Sequence, residues 1–158
     1  MNKTATEWMI EPLRRYAQFT GRARRAEFWW FFLFGLLVSV VATIVDHLLG
    51  TARSSGTGLV GALVSLGLII PQVAVAVRRL HDIDRTGWWF ALPPALAIPV
   101  GVLAYLAIAT GGGTAVAVGI VAITVFAVAV LLVVWQCTRG TEGANRFGPD
   151  PFADTMVY

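Results

Sequence analysis

Charge is what this sequence lacks most. Only 13% of its 158 residues are charged, where a soluble domain carries about 25%. With 57% hydrophobic residues and a mean hydropathy of +0.72, the chain cannot clothe a water-facing surface, which excludes an ordinary soluble domain and points to a membrane protein. The net charge is a modest +3, and no nucleic-acid partner is expected. Cysteine is nearly absent too. Cys137 stands alone, which excludes an internal disulfide and a cysteine-only metal site; at the end of an apolar run it reads as a packing residue. Strict alternation of polar and apolar residues is missing, which excludes a small β-barrel. The first twenty residues have neither the apolar core nor the small-residue cleavage site of a signal peptide, so no removed targeting segment is expected and the first hydrophobic helix would direct insertion.

What is present is four apolar runs, Phe28–Leu49, Leu59–Val77, Phe90–Ala109 and Ala115–Trp135, each of 19 to 22 residues. About 20 helical residues cross a hydrocarbon core of roughly 30 Å, and inside a bilayer the backbone must satisfy its own hydrogen bonds, so each run predicts a transmembrane helix. The third and fourth are separated only by Thr110–Thr114, "TGGGT", a link short enough to demand a tight hairpin. The fold class expected is an all-α integral membrane four-helix bundle, a single membrane domain over 1–158. It divides into an interfacial segment at 1–27, helices at 28–49, 59–77, 90–109 and 115–135, and a tail at 136–158.

The few cations are unevenly spread. Eleven Lys and Arg residues fall before the first helix, between the second and third, and after the fourth; Arg53 alone falls on the other side. The positive-inside rule then predicts that both termini and the central loop are cytoplasmic. In "EPLRRYAQF", Pro12 suits a first helical position, and Leu13 and Tyr16 share a face. A short helix in the membrane interface is expected there, with Arg14 and Arg15 toward lipid headgroups.

Three polar blocks carry whatever chemistry exists. In "GRARRAEFWWF", Thr20 or Gly21 suits a helix start, which would put Arg22, Arg25 and Trp29 on one face and Arg24 within reach of Glu27. The block reads either as a basic rim for an anion or as an ordinary anchor, with arginines for topology and tryptophans for the aromatic belt. In "RRLHDIDRTGWW", a helix running past Val77 would bring Arg78, His81 and Asp82 to one side. "DRTG" reads as a turn with Gly87 free to take positive φ, and Trp88 and Trp89 re-enter the membrane. In "RGTEGANRFGPDP" the Gly, Asn and Pro content predicts compact turns that fold back under the helices beside Phe147 and Phe152. Carboxylates so outnumbered by arginines are expected in ion pairs, with Glu27 and Asp82 each joined to an arginine of another block among Arg22, Arg25, Arg78, Arg79 and Arg146.

The stretches "GRARRAEFWWFFLF", "RRLHDIDRTGWW" and "GTEGANRFGPDP" together resemble the three signature blocks of the domain-of-unknown-function 805 family of small bacterial inner-membrane proteins. They span most of the chain in the family's order; Asp84-Arg85-Thr86 departs from the Gly and Ser expected there. The resemblance implies a multi-pass protein of the bacterial inner membrane with four helices. It carries over no biochemical activity.

The membrane interior is dry. Ser39, Thr43, Ser65, Gln72, Tyr105 and Thr124 are its main polar groups, and no Asp, Glu, Lys or Arg lies near a helix midpoint. That weighs against an oligomeric transporter or channel, which needs intramembrane ionisable groups or a polar pore. A lipid-headgroup enzyme with His81 as base and Asp82 as orienter would need more than this pair, and no catalytic motif accompanies it. The reading preferred is a non-enzymatic module whose arginine-rich cytoplasmic face binds membrane lipid of anionic type, another anionic ligand, or a partner; a homo-oligomer and a membrane-protein partner both stay open. The candidate binding residues are Arg22, Arg25, Glu27, Trp29, Arg78, Arg79, His81, Asp82, Trp88, Asn145 and Arg146. No catalytic residue, metal or cofactor is assigned.

Overall fold

A computed structural model of the chain describes residues 3–52, 58–110 and 114–151. Among the described residues there is no strand, only an isolated bridge between Asn145 and Gly148. The helices are α1 (Ala5–Arg14), α2 (Arg25–Leu48), α3 (Leu59–Asp82), α4 (Leu92–Ala109) and α5 (Thr114–Cys137), with a 3-10 segment, Gly87–Ala91, leading into α4. Four spans are long and apolar enough to cross a membrane, one for each apolar run. Two of the helices extend into the polar blocks: α2 begins at Arg25 and α3 continues past Val77 to Asp82. Arg53, the glycines at 111–113 and Phe152 lie outside the described residues.

The spans pair as two hairpins. α2 packs along α3 and α4 along α5, while contacts between the hairpins are few. Those present join α3 to the 3-10 segment and α5 to α2 and α3. Within the second hairpin, Trp89 meets Trp135 edge to face at 5.2 Å, and the Arg85 guanidinium, from the turn after α3, lies over both rings. The protein core is small: Ala23, Phe28, Phe31, Val75 and Ala76, with Leu13, Phe34, Leu68 and Phe90 against it. Most other large apolar side chains are exposed, the outcome expected when hydrocarbon rather than water is the solvent.

α1 departs from expectation. It starts at Thr4, whose hydroxyl accepts from the Glu7 amide while the Glu7 carboxylate accepts from the Thr4 amide, a capping box. Pro12 therefore sits inside the helix near its end, not at its first position, and is buried. Tyr16 lies beyond the helix, and its hydroxyl donates to the Gly67 carbonyl at 2.6 Å. The reason is four residues further along α3: Pro71 has no amide hydrogen, so the Gly67 carbonyl has no helical donor, and a neighbouring side chain replaces it. α2 also starts later than Thr20 or Gly21. Gly21 takes φ 87°, and residues 22–24 stay outside the helix beside α3, with the Ala23 amide donating to the Arg78 carbonyl at 3.0 Å.

At the opposite end, Asp46 is fully buried. It accepts from the Thr51 hydroxyl at 2.6 Å and from the Val60 and Gly61 amides at 2.9 and 2.8 Å. One helix thus supplies the N-terminal cap of the next, since the cap residue Gly58 has no side chain of its own. A Cβ at Gly58 would collide with the Asp46 carboxylate.

Candidate functional site

The three polar blocks converge on one buried knot at the charged end. Arg22, Glu27, Arg78, Arg79, Asp82 and Gln136 are all at most 8% exposed, a concentration of charge that has to be internally paired to survive burial. Asp82 is the hub. Its Oδ1 accepts from Arg22 at 3.0 Å and its Oδ2 from Arg79 at 2.5 Å. Glu27 meets Arg78 Nη1 at 2.7 Å, a close approach of charges rather than an aligned hydrogen bond. Each carboxylate thus pairs with an arginine of another block, as expected from composition. The partners differ in one respect. Arg78 does not meet Asp82 on the helix face; Arg79, one residue on, does, and Arg78 turns to α2.

Arg79, Thr141 and Asn145 finish helix ends, Arg22 ties down the tail, and Arg78 Nε and Nη2 find no hydrogen-bond partner among the described residues. The last carbonyls of an α-helix have no partner within it and carry partial negative charge. At the end of α5, Arg79 donates to the carbonyl of Gln136 and, just past the helix, to that of Thr138. On α3, the carbonyl of Asp82 accepts from both the amide and the hydroxyl of Thr141, at 2.9 and 3.1 Å, and that of His81 accepts from Asn145 at 2.9 Å. Arg22 Nη1 and Nη2 donate to the carbonyls of Gly143 and Thr141, each at 2.6 Å. The segment after α5 is therefore folded back in turns beneath the helices, as its composition predicts. Gly140 passes so close to Asp82 that a Cβ there would meet the carboxylate.

His81 and Asp82 do not form a base–orienter pair. His81 Nδ1 lies 3.1 Å from the Gly21 carbonyl, and its ring stacks on Phe147 at 4.0 Å and 2°, while both Asp82 oxygens face arginines. Arg146 closes the edge through Asp84 at 3.0 Å, with both side chains about half exposed. In the turn after α3 the positive φ belongs to Asp84, at 57°, and not to Gly87. Gly87 is small for another reason: a Cβ would lie 2.6 Å from Val77 Cγ1.

The other candidates stand apart. Trp88 is 84% exposed and borders an apolar chamber rather than the knot. Arg25 and Trp29 share a face of α2 with Trp30 and Leu33, lining a groove of about 510 Å³ that ends against Cys137. Arg25 is exposed there, with one long contact, 3.4 Å, to the Cys137 carbonyl. Among the described residues no group of three His, Cys, Asp or Glu side chains is placed to hold a metal. Sequence reasoning missed the parts played by Gln136, Gly140, Thr141 and Asp46. A glycine followed by a threonine just past a helix end was the available signal for Gly140 and Thr141; nothing local marks Gln136.

The comparisons with known proteins agree with this architecture. The model of the family described as "Protein of unknown function (DUF805)" matches residues 16–149. The chain is 32% identical over 145 residues to the inner membrane protein YhaH of Escherichia coli strain K12, covering 92% of this chain and 96% of that one. It is equally 32% identical over 145 residues to the inner membrane protein YhaI of the same strain, covering 92% and 95%. No solved structure matches. All three polar blocks of the knot fall within the matched region, save the last residues of the tail. With four spans and these relatives, the chain is a multi-pass inner-membrane protein and belongs to the DUF805 family.

Proposed function

We propose that this protein is a non-enzymatic membrane module, with both termini cytoplasmic and α1 in the interface, that binds anionic phospholipid at its charged face. The observation carrying this reading is the groove beside Arg25. An exposed guanidinium stands over an apolar trough lined by Trp29, Trp30 and Leu33, an arrangement that suits a phosphate headgroup above and an acyl chain below. Arg139, exposed and two residues past Cys137, adds a second cation at the same end. The excess of Lys and Arg at that end, eleven against Arg53, supports the orientation. The knot arginines Arg22, Arg78 and Arg79 serve this function indirectly, by holding the α2 start and α5 end that frame the groove.

The test is native mass spectrometry of the purified protein with phosphatidylglycerol and, in parallel, phosphatidylcholine. An arginine near an anionic surface contributes about 1 kcal/mol. Arg25→Ala is therefore expected to lower phosphatidylglycerol retention roughly fivefold and leave phosphatidylcholine unchanged. Equal retention of both lipids by the unsubstituted protein, or no effect of Arg25→Ala, overturns the reading.

A further inference from the structure

The dry membrane interior has one wet stripe. Ser39 on α2 and Ser65 and Gln72 on α3 line a single groove of about 590 Å³ between the two helices. Both serines are exposed and Gln72 is half-buried. Among the described residues, no hydrogen bond engages any of these three side chains. Gln72 lies near the middle of α3, about 15 Å from its Asp82 end at 1.5 Å per residue. At that depth neither water nor a headgroup is at hand, and an acyl chain offers no hydrogen bond to an amide. Something with donors and acceptors belongs against this stripe.

We propose that a second copy of this chain covers it, in a two-fold dimer formed through the α2–α3 faces. A primary amide carries donor and acceptor together, so Gln72 is complementary to Gln72 of another copy across a two-fold axis, and a self-complementary patch is what an isologous interface requires. The wall residues suit close approach. Gly35, Ser39 and Ser65 are small, and small residues let membrane helices come near enough for side chains to bond across. Among the described residues, the chain's own second hairpin does not supply the missing partners: at this groove it contributes the Phe90 ring leading into α4.

Cross-linking and association measurements test the dimer. In a Cys137→Ser background, Ile69→Cys places a thiol in the groove, at a position now 56% exposed, and Ile123→Cys places one on α5, at a position 71% exposed. Mild oxidation of inner-membrane vesicles is expected to yield a disulfide dimer from Ile69→Cys and little from Ile123→Cys. Energy transfer between labelled copies in phosphatidylcholine liposomes is expected to show association that Gln72→Leu weakens roughly tenfold. Leucine is at home in lipid, and the cross-linking arm keeps Gln72 intact, so a misfolded variant does not decide the matter. Equal cross-linking at both positions, association unchanged by Gln72→Leu, or a monomer in bilayers overturns the proposal, even if that monomer retains a lipid-soluble compound in the groove.

Discussion

Replacing Asp82 by Asn tests the knot most directly. The side chain is 2% exposed and faces Arg22 and Arg79, themselves 2% and 0% exposed at their side chains. Asn keeps the shape and one acceptor oxygen. It removes the negative charge and turns an amide N–H₂ toward a guanidinium that also only donates. Removing one partner of a buried ion pair costs about 3–5 kcal/mol, because the charge left behind is neither hydrated nor matched. Here two guanidinium groups lose their counter-charge, although both keep carbonyl acceptors, which favours the middle of that range. About 4 kcal/mol corresponds to roughly a thousandfold change in the folded-to-unfolded ratio. The assay is equilibrium unfolding in mixed micelles of a mild detergent and increasing dodecyl sulfate, followed by tryptophan fluorescence. Glu142→Gln is the reference, since its pair with Arg139 is 3.3 Å long and about 80% exposed on both sides, where ion pairs contribute little. If Asp82→Asn unfolds at the same detergent fraction as Glu142→Gln, the knot does not hold the fold together.

Two further substitutions probe how the chain is tied. Gly140→Ala pushes a methyl group into the Asp82 carboxylate, an overpacking expected to cost about 1–3 kcal/mol; limited trypsin digestion should then cut at Arg139 and Arg146 faster than in the unsubstituted protein, and equal rates would contradict the close passage. Tyr16→Phe strands the Gly67 carbonyl that Pro71 leaves free, with an expected loss of about 0.6–1 kcal/mol in the same unfolding assay. Restoring a helical donor with Pro71→Ala should make Tyr16→Phe nearly silent, and a full effect of Tyr16→Phe in that background would refute the link between the two residues.

The spans were legible because hydropathy integrates over twenty residues and tolerates local error. The pairing of Glu27 and Asp82 with arginines of other blocks was legible because a buried carboxylate among so many guanidinium groups has few alternatives. Which arginine pairs with which was not. Arg78 and Arg79 differ by about 100° around one helix, and that rotation is set by how α3 lies on α2, a tertiary quantity. The same applies to the start of α2. Gly21 looks like a cap by residue type, yet residues 22–24 stay outside the helix, where the Ala23 amide bonds to α3 and Arg22 is drawn under the tail. The positive φ fell on Asp84 rather than Gly87, and the glycine at 87 is used instead for clearance from Val77.

Burial then sorts arginines that the sequence leaves equivalent. Any Lys or Arg flanking a span can bias orientation, and composition cannot say which of them also do structural work. Arg22, Arg78 and Arg79 are enclosed, and Arg22 and Arg79 donate to carbonyls of the segment that follows Val134. Arg25, Arg139 and Arg146 remain at the surface. The two groups answer different perturbations. Salt screens exposed charges beyond a Debye length of about 8 Å at physiological ionic strength and leaves enclosed pairs nearly untouched. Raising ionic strength should therefore release anionic lipid from the Arg25 groove while the unfolding midpoint set by Asp82 stays where it is. A midpoint that falls in step with lipid release would mean that the knot is open to solvent and that lipid, not the chain's own carboxylates, balances its arginines.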